Sequence, residues 1–299
     1  MNNLHPDKRL VADSFGKAAA RYDDVAVLQR RTADEMLARL PLMKIKPHVV
    51  LDLGAGTGRN LAQLGVQYPK AQRLAVDIAP AMLQHARTTD KKARRLLQWR
   101  PGHRTPYYIA GDAERLPLAG NSVDLVFANL TLQWCEPTIS FAEISRVLKP
   151  GGLLMFTTLG PDTLTELRQS WAAVDTYPHV NMFYDMHDVG DAMMAAHLVD
   201  PVLDVERCTL TYKSAMDLMR DLKQLGARNM NPGRQRGLTG KKKLQQVMAY
   251  YEQFRSEAGL PASYEVIYGQ AWGGDCRQVS TPSGDVRIAV DQIQRRKPG

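Results

Sequence analysis

A doubly wound α/β protein, with helices packed on both faces of a parallel sheet, is the fold class that this 299-residue chain predicts. Three observations lead there. Val49-Val50-Leu51-Asp52-Leu53 is an apolar run that empties into Gly54-Ala55-Gly56-Thr57-Gly58, a turn with glycine at alternate positions. Leu74-Ala75-Val76-Asp77-Ile78 is a second apolar run, and its acid falls 25 positions after Asp52. From about residue 47 to 160, strand-like runs alternate with helical spacing, the order a parallel sheet requires.

Each element follows from local pattern. Residues 13–40 place Val25, Leu28, Thr32, Met36 and Leu40 at helical spacing with no glycine after Gly16, which predicts an amino-terminal helical cap within residues 1–46. The core, 47–212, then holds the two strands above, a strand at Val123–Asn129, a helix and turn over Ile144–Gly152, and a fifth strand at Leu153–Thr158. Helices at about 162–173 and 186–196 lead to a sixth strand, Pro201–Tyr212. Residues 213–261 form an insertion with helices at about Ser214–Leu225 and Lys241–Ala258. The last strand falls within 262–274. From 275 to 299 the pattern weakens into a loop at Ser280–Gly284, a short strand and a basic, weakly ordered end.

Composition narrows the function classes. With 44% hydrophobic and 23% charged residues the chain is ordinary globular protein. Cys135, Cys208 and Cys276 are odd in number and form no C-x-x-C pair, so neither a disulfide framework nor a zinc site is expected, and a reducing cytoplasm suits them. The seven histidines lack the H-E-x-x-H spacing, and no metal is expected. No run of 18 apolar residues occurs, and none of the amino-terminal residues forms an apolar signal core, so no membrane association is expected. The net charge of +8 is uneven: Lys213 to Lys243 carries nine Lys or Arg against Asp217 and Asp221. Lys91 to Arg104 is a second basic stretch, expected as a loop.

The glycine turn is a ligand loop. Glycine lets the backbone adopt turn geometry and a ligand approach it, while the following helix aims its amides at an anion. The dinucleotide pattern G-x-G-x-x-G fails, because its third glycine position is Arg59. The turn, G-x-G-x-G after an acid, instead resembles motif I of the class I methyltransferases, whose ligand, S-adenosyl-L-methionine, has only a carboxylate as anion. Asp77 suits the ribose hydroxyls. Ala110-Gly111-Asp112-Ala113-Glu114-Arg115-Leu116-Pro117 resembles the stretch in which an Asp bonds the adenine amino group, here Asp112. The resemblance implies a class I methyltransferase (Rossmann-like) sheet and a cofactor site drawn from Asp52, Gly54, Ala55, Gly56, Gly58, Asp77, Ile78, Met82, Asp112, Ala113 and Asn129. Methyl transfer is expected beside Asn129, where the fourth strand opens toward Trp134.

Beyond these motifs the chain resembles one subfamily over residues 13–272, the malonyl-[acyl-carrier protein] O-methyltransferases of biotin synthesis. Phe15 to Tyr22, Leu28-Gln29-Arg30, Asn129-Leu130 with Gln133-Trp134-Cys135, Pro178-His179-Val180-Asn181, Met219 to Lys223 and Gly233-Arg234 carry the likeness. It implies transfer of a methyl group to the free carboxylate of malonyl-ACP or malonyl-CoA, with no acid or base residue, because a carboxyl of pKa about 4 is already ionised at neutral pH. Tyr22, Asn129 and Trp134 are the expected positioning residues. Tyr22, Trp134, Asn181, Arg220, Lys223, Arg228 and Arg234 are the expected substrate and carrier residues, the basic insertion facing an acidic acyl carrier protein. Where family members carry Arg after His-x-Asn, this chain has Met182, so no contact is carried over there. Nucleic-acid substrates are not expected, since Asn129-Leu130-Thr131-Leu132 is not the Asn/Asp-Pro-Pro-Tyr element of amino-base methylases. The alternatives are a relative of the complex I assembly methyltransferase-like proteins that modify arginine, on the strength of Leu260 to Tyr264, or a non-enzymatic module that binds S-adenosylmethionine.

Overall fold

The computed structural model describes residues 6–96, 104–231, 233–234, 237 and 240–274, and of 93–96 the backbone only. The expectations for Cys276, Arg100, Arg236 and the tail 275–299 lie outside the described residues.

A seven-stranded sheet forms the centre. In chain order its strands are β1 (Val49–Leu53), β2 (Gln72–Asp77), β3 (Tyr107–Ala110), β4 (Val123–Asn129), β5 (Leu148–Leu159), β6 (Leu198–Tyr212) and β7 (Leu260–Gly273), arranged in space as β3-β2-β1-β4-β5-β7-β6. The first five pair in parallel. The parallel order expected over about residues 47–160 is that of β1 to β5, and beyond it β7 lies antiparallel between β5 and β6. The cause is the path of the chain. The register puts Tyr212, where β6 ends, opposite Leu260, where β7 begins, so the intervening segment returns at the same end of the sheet and β7 must run back. That segment carries α9 (Ala215–Gln224) and α10 (Lys241–Tyr251), and it therefore stays at the end where the parallel strands finish.

Two apolar layers sandwich the sheet, and side-chain alternation along each strand sorts residues between them. Leu125, Phe127, Leu153 and Met155 face Met36 and Leu37 of α3 (Val27–Arg39), Leu64 of α4 (Arg59–Gln67) and Leu167 of α7 (Thr165–Ala172). Val126, Ala128, Leu154 and Phe156 face Phe141 and Ile144 of α6 (Pro137–Val147) and Val189 and Met193 of α8 (Met186–Ala195). Phe127 and Phe156 are buried, each stabilising by about 1.5–3 kcal/mol.

Three helix boundaries differ from expectation. The amino-terminal cap is three helices, α1 (Lys8–Ala18), α2 (Tyr22–Val25) and α3, because it bends around the glycine turn. Ala18 and Ala19 bury against Ala79 and Met82, while the Asp23 carboxylate accepts a 2.7 Å hydrogen bond from the Thr57 hydroxyl. The helix expected to reach Ala258 stops at Tyr251, whose hydroxyl donates to the Pro261 carbonyl at 2.7 Å, and Gly259 at φ +117 turns the chain into β7. Lys91 and Lys92, expected in a loop, sit on α5 (Pro80–Leu96), an amphipathic helix that continues past them. Among the described residues no helix is long and apolar enough to cross a membrane, and no group of three His, Cys, Asp or Glu is placed to hold a metal ion.

Candidate active site

A cavity enclosing about 650 Å³, its open mouth included, lies at the carboxyl ends of β1, β2 and β4. The glycine turn forms its floor, and its three glycines have separate reasons to be glycine. All have positive φ, at +70, +52 and +84. A Cβ at Gly54 would lie 2.0 Å from the Thr131 hydroxyl oxygen, and one at Gly58 would lie 2.8 Å from Ala86. Those two positions are closed by the protein itself. Gly56 differs: nothing lies within 4 Å of its Cβ position, so the space above it is open to a ligand.

Two carboxylates sit under this floor. Asp77 accepts from the Gly56 amide at 2.9 Å and the Ala79 amide at 2.8 Å, which fixes it at the tip of β2 facing the cavity. Burial raises its pKa and the two amides oppose that. Asp52 is fully buried, and neither oxygen has a hydrogen-bond partner among the described residues. Burial, then the neighbouring Asp77 carboxylate, push it up to about 8. Of the expected cofactor residues, Gly54, Gly56, Asp77, Ile78, Met82, Asp112, Ala113 and Asn129 line the cavity, whereas Asp52, Ala55 and Gly58 stand behind its wall.

Asn129 lines the cavity at the carboxyl end of β4 and is held there by the protein. Its amide oxygen accepts from Thr32 at 2.8 Å and from Thr157 at 2.9 Å, and its nitrogen donates to the Gln29 carbonyl at 2.9 Å. The side chain thus pins α3 to the end of β4.

Lys8, Val11 and Phe15 of α1 close the cavity from above, and the sequence reading missed them. Their i, i+3, i+7 spacing was the available signal. Lys8 Nζ lies 3.0 Å from Asp112 and 2.8 Å from Glu114, so the carboxylate expected to read the adenine amino group carries an ion pair with the cap. Burial alone would lower the Lys8 pKa; the Cys135 sulfur and the two carboxylates outweigh it and hold the ammonium above the ordinary lysine range. Cys135 itself is a buried thiol, pushed up to about 12 chiefly by burial, and is therefore unreactive at neutral pH.

Through Phe15, Tyr22, Leu130 and Trp134 the first cavity meets a second, larger one of about 1450 Å³ with its open mouth. The Phe15 ring stands edge-on to Trp134 at 5.4 Å between centroids and tilted to Tyr22 at 6.4 Å. Leu28, Leu164, Leu167, Trp171 and Phe183 make much of the second cavity apolar. On one wall His179 stacks on Trp171 with centroids 3.6 Å apart and bonds Asp175 at 2.8 Å. Lys223 and Arg228 line it as well, and both also line an outer cleft with Lys17, Arg21 and Arg220. Among the described residues no carboxylate lines that cleft.

The expected substrate residues divide accordingly. Tyr22, Trp134, Asn181, Lys223 and Arg228 border the second cavity. The Asn181 amide is occupied, donating to the Arg228 carbonyl at 3.2 Å and accepting from the Met230 amide at 2.9 Å, so it braces the loop that presents Arg228. Arg220 lies only in the outer cleft, paired with Asp217 at 2.6 Å, and Arg234 donates to the Asn231 carbonyl at 3.3 Å without lining either cavity.

Comparison with known proteins assigns the class first. The methyltransferase-domain family matches residues 51–156, which hold the glycine turn, Asp77, Asp112 and β4. The YcgJ protein of Bacillus subtilis shares the fold, with a TM-score of 0.57 at 16% identity over 81% of this chain and 99% of that one. This is a class I methyltransferase fold, and the chain is an S-adenosylmethionine-dependent methyltransferase. Two relatives narrow the assignment. The malonyl-[acyl-carrier protein] O-methyltransferase of Methylovorus sp. (strain MP688) is 50% identical over 279 residues, 93% of each chain. Its counterpart in Laribacter hongkongensis (strain HLHK9) is 48% identical over 270 residues, 90% of each. The chain belongs to the malonyl-[acyl-carrier protein] O-methyltransferase family. Membership favours the O-methyltransferase expectation over the complex I assembly relative and the non-enzymatic module.

Proposed function

We propose that this protein moves the methyl group of S-adenosylmethionine onto the free carboxylate of a malonyl group held as a thioester on acyl carrier protein, with malonyl-CoA as the shorter substitute. The observation that carries this reading is the pair of cavities meeting at Phe15, Tyr22 and Trp134, one built for the donor and the other apolar with a basic rim. When bound, S-adenosylmethionine supplies an electrophilic methyl carbon that a carboxylate oxygen takes in a single displacement.

What the chain contributes is alignment. Gly56 leaves room for the donor, and Asp77 accepts from its ribose hydroxyls and favours a cation overhead. Tyr22 and Trp134 wall the junction, where aromatic faces attract a sulfonium and exclude water. Holding oxygen, methyl carbon and sulfur in line lowers the barrier by about 7 kcal/mol or more in well-oriented systems. No proton has to move, in keeping with a junction that lacks a free His, Asp or Glu among its shared lining residues. Lys223, Arg228, Lys17, Arg21 and Arg220 fit an acidic carrier surface or the phosphate of its prosthetic arm, and such pairing speeds encounter in a salt-sensitive way. Esterification removes a charge that enzymes with apolar tunnels would be slow to bury.

The test is incubation of purified protein and labelled S-adenosylmethionine with malonyl carrier protein, malonyl-CoA or RNA. The expected result is a base-labile methyl ester on the malonyl group. Label in RNA or on a protein arginine, with none on malonyl thioester, would overturn the assignment.

A further inference from the structure

The outer cleft, enclosing about 690 Å³ with its open mouth, gathers Lys17, Arg21, Arg220, Lys223 and Arg228 around one concavity. Arg220 is paired with Asp217. The other four side chains form no ion pair and no side-chain hydrogen bond among the described residues. Like charges set together without a counter-ion repel one another, so the arrangement is stabilised when an anion enters. The cleft also straddles a fixed seam. Lys17 lies on α1 and Arg21 just before α2, whereas Lys223 lies on α9 and Arg228 in the loop after it. The Ser14 hydroxyl donates to the Gly226 carbonyl at 2.9 Å, and a Cβ at Gly226, where φ is +77, would stand 3.0 Å from the Ser14 carbonyl oxygen. Gly226 therefore lets the two backbones approach, and the cations of both segments are set around one opening.

The cleft has a place in a series of sites. Lys223 and Arg228 border both the cleft and the second cavity, and neither borders the donor cavity. Phe15, Tyr22, Leu130 and Trp134 border the donor cavity and the second cavity, and none of them borders the cleft. Donor cavity, apolar cavity and basic cleft thus follow one another, with methyl transfer at one junction and unpaired positive charge at the other. A malonyl thioester of phosphopantetheine carries its anions in the same order. Its carboxylate stands at one end, and its phosphate lies beyond a long uncharged arm.

We propose that the outer cleft is a phosphate subsite, in which Lys17, Arg21, Lys223 and Arg228 hold the phosphate of a phosphopantetheine thioester while its malonyl end lies against the donor. The inference rests on the function proposed above and fixes its substrate class as thioesters of a phosphorylated arm. Two other anions fit the cleft less well. The malonyl carboxylate has to lie at the junction with the donor cavity, which none of the four cations borders. The carboxylates of a carrier protein are spread over a surface, whereas four unpaired cations around one concavity match a compact anion with several acceptor oxygens. Arginine meets such a group through its planar fork, and lysine as a point charge.

Two small substrates without a carrier, malonyl-4′-phosphopantetheine and malonyl-pantetheine, test this. Wild type should favour the phosphorylated one by about tenfold or more in kcat/KM, the gain expected for hydrogen bonds to a charged group. Lys17 and Arg21 border the cleft alone and are exposed, so substitution there does not threaten the fold. Combining Lys17→Gln with Arg21→Gln should shrink the preference to about threefold or less, while Lys17→Arg with Arg21→Lys, which keeps both charges, should retain most of it. A binding readout needs no turnover: with S-adenosylhomocysteine present, the dissociation constant for 4′-phosphopantetheine, read by calorimetry, should rise about tenfold in the Gln variant. A wild type indifferent to the phosphate, or a Gln variant that keeps the full preference, overturns the subsite. Equal losses on both substrates would point to the malonyl end, and a loss seen only with the intact carrier would point to its carboxylates; either overturns it too. In all of these cases methylation of a malonyl thioester by wild type keeps the proposed function standing, and a wild type that methylates none overturns both.

Discussion

The two cavities of this protein are built from different materials. Around the first, the decisive groups are largely backbone: the amides that fix Asp77 and a turn in which Gly56 must have no side chain. The second is assembled from side chains of α3, α7, β6 and α9 and of the loops after them, segments that meet only in the finished fold. A backbone site is specified by short motifs at fixed intervals and tolerates little change. A side-chain site can be re-cut residue by residue, which suits the part of the enzyme that selects a substrate.

The sharpest way to break that contrast is at the turn. Gly54→Ala combines a left-handed backbone at φ +70 with a Cβ placed 2.0 Å from the Thr131 oxygen, and it should cost about 3 kcal/mol or more in a denaturant titration. Gly56→Ala has the same handedness problem at φ +52 but open space beyond, so it should cost only about 1–2 kcal/mol while donor affinity, measured by calorimetry, falls steeply. If the Gly56 variant bound the donor normally, the open space above the turn would not be the donor's seat. Asp77→Asn comes next. Loss of a charge-assisted contact to the ribose should weaken donor binding about ten- to a hundredfold and leave the apparent KM for the malonyl substrate nearly unchanged.

This contrast also explains what could be read in the sequence. The alternation of strands and helices, the glycine turn and Asp77 were legible because local periodicity and turn chemistry encode them. The reversal of β7 was not, since nothing in Leu260–Gly273 records which neighbours it inserts between. Asn129 was singled out by its place at the end of β4, correctly as to position, but its engagement with Gln29, Thr32 and Thr157 depends on how α3 docks from a hundred residues away. Lys8 was missed for the same reason: its partners, Asp112 and Glu114, are distant in the chain. Arg220 and Arg234 were chosen by charge and resemblance, and only the fold distinguishes them from Lys223 and Arg228, which reach the second cavity.

The basic rim offers a gentler test of the side-chain cavity. Lys223→Glu combined with Arg228→Glu should raise the KM for malonyl carrier protein by about tenfold at low salt, with the penalty shrinking as ionic strength rises because exposed charges are screened. Donor affinity should not move. A variant whose carrier KM matched wild type at low salt would show that the rim does not meet the carrier.

The last test concerns the acid beneath the turn and returns to the backbone cavity. In the unfolded chain Asp52 titrates near its ordinary value of 3.8, and in the fold it is raised to about 8 by burial and then by Asp77. Between those limits the folded protein holds a proton that the unfolded chain has released. Stability from this group is therefore complete below about pH 4 and drains away as the pH rises toward 8, by at most about 1.4 kcal/mol per pH unit. Melting temperature should fall across that window in the wild type, and Asp52→Asn, which cannot ionise, should flatten the slope. The slope should not vanish, since Asp77 is also raised by burial and contributes with the same sign. At pH 8 the variant should melt above the wild type, and at pH 5 the advantage should have shrunk. Parallel melting curves across the window would mean that Asp52 is ionised in the fold throughout, and the cation-attracting charge beneath the turn would then be present before any donor arrives.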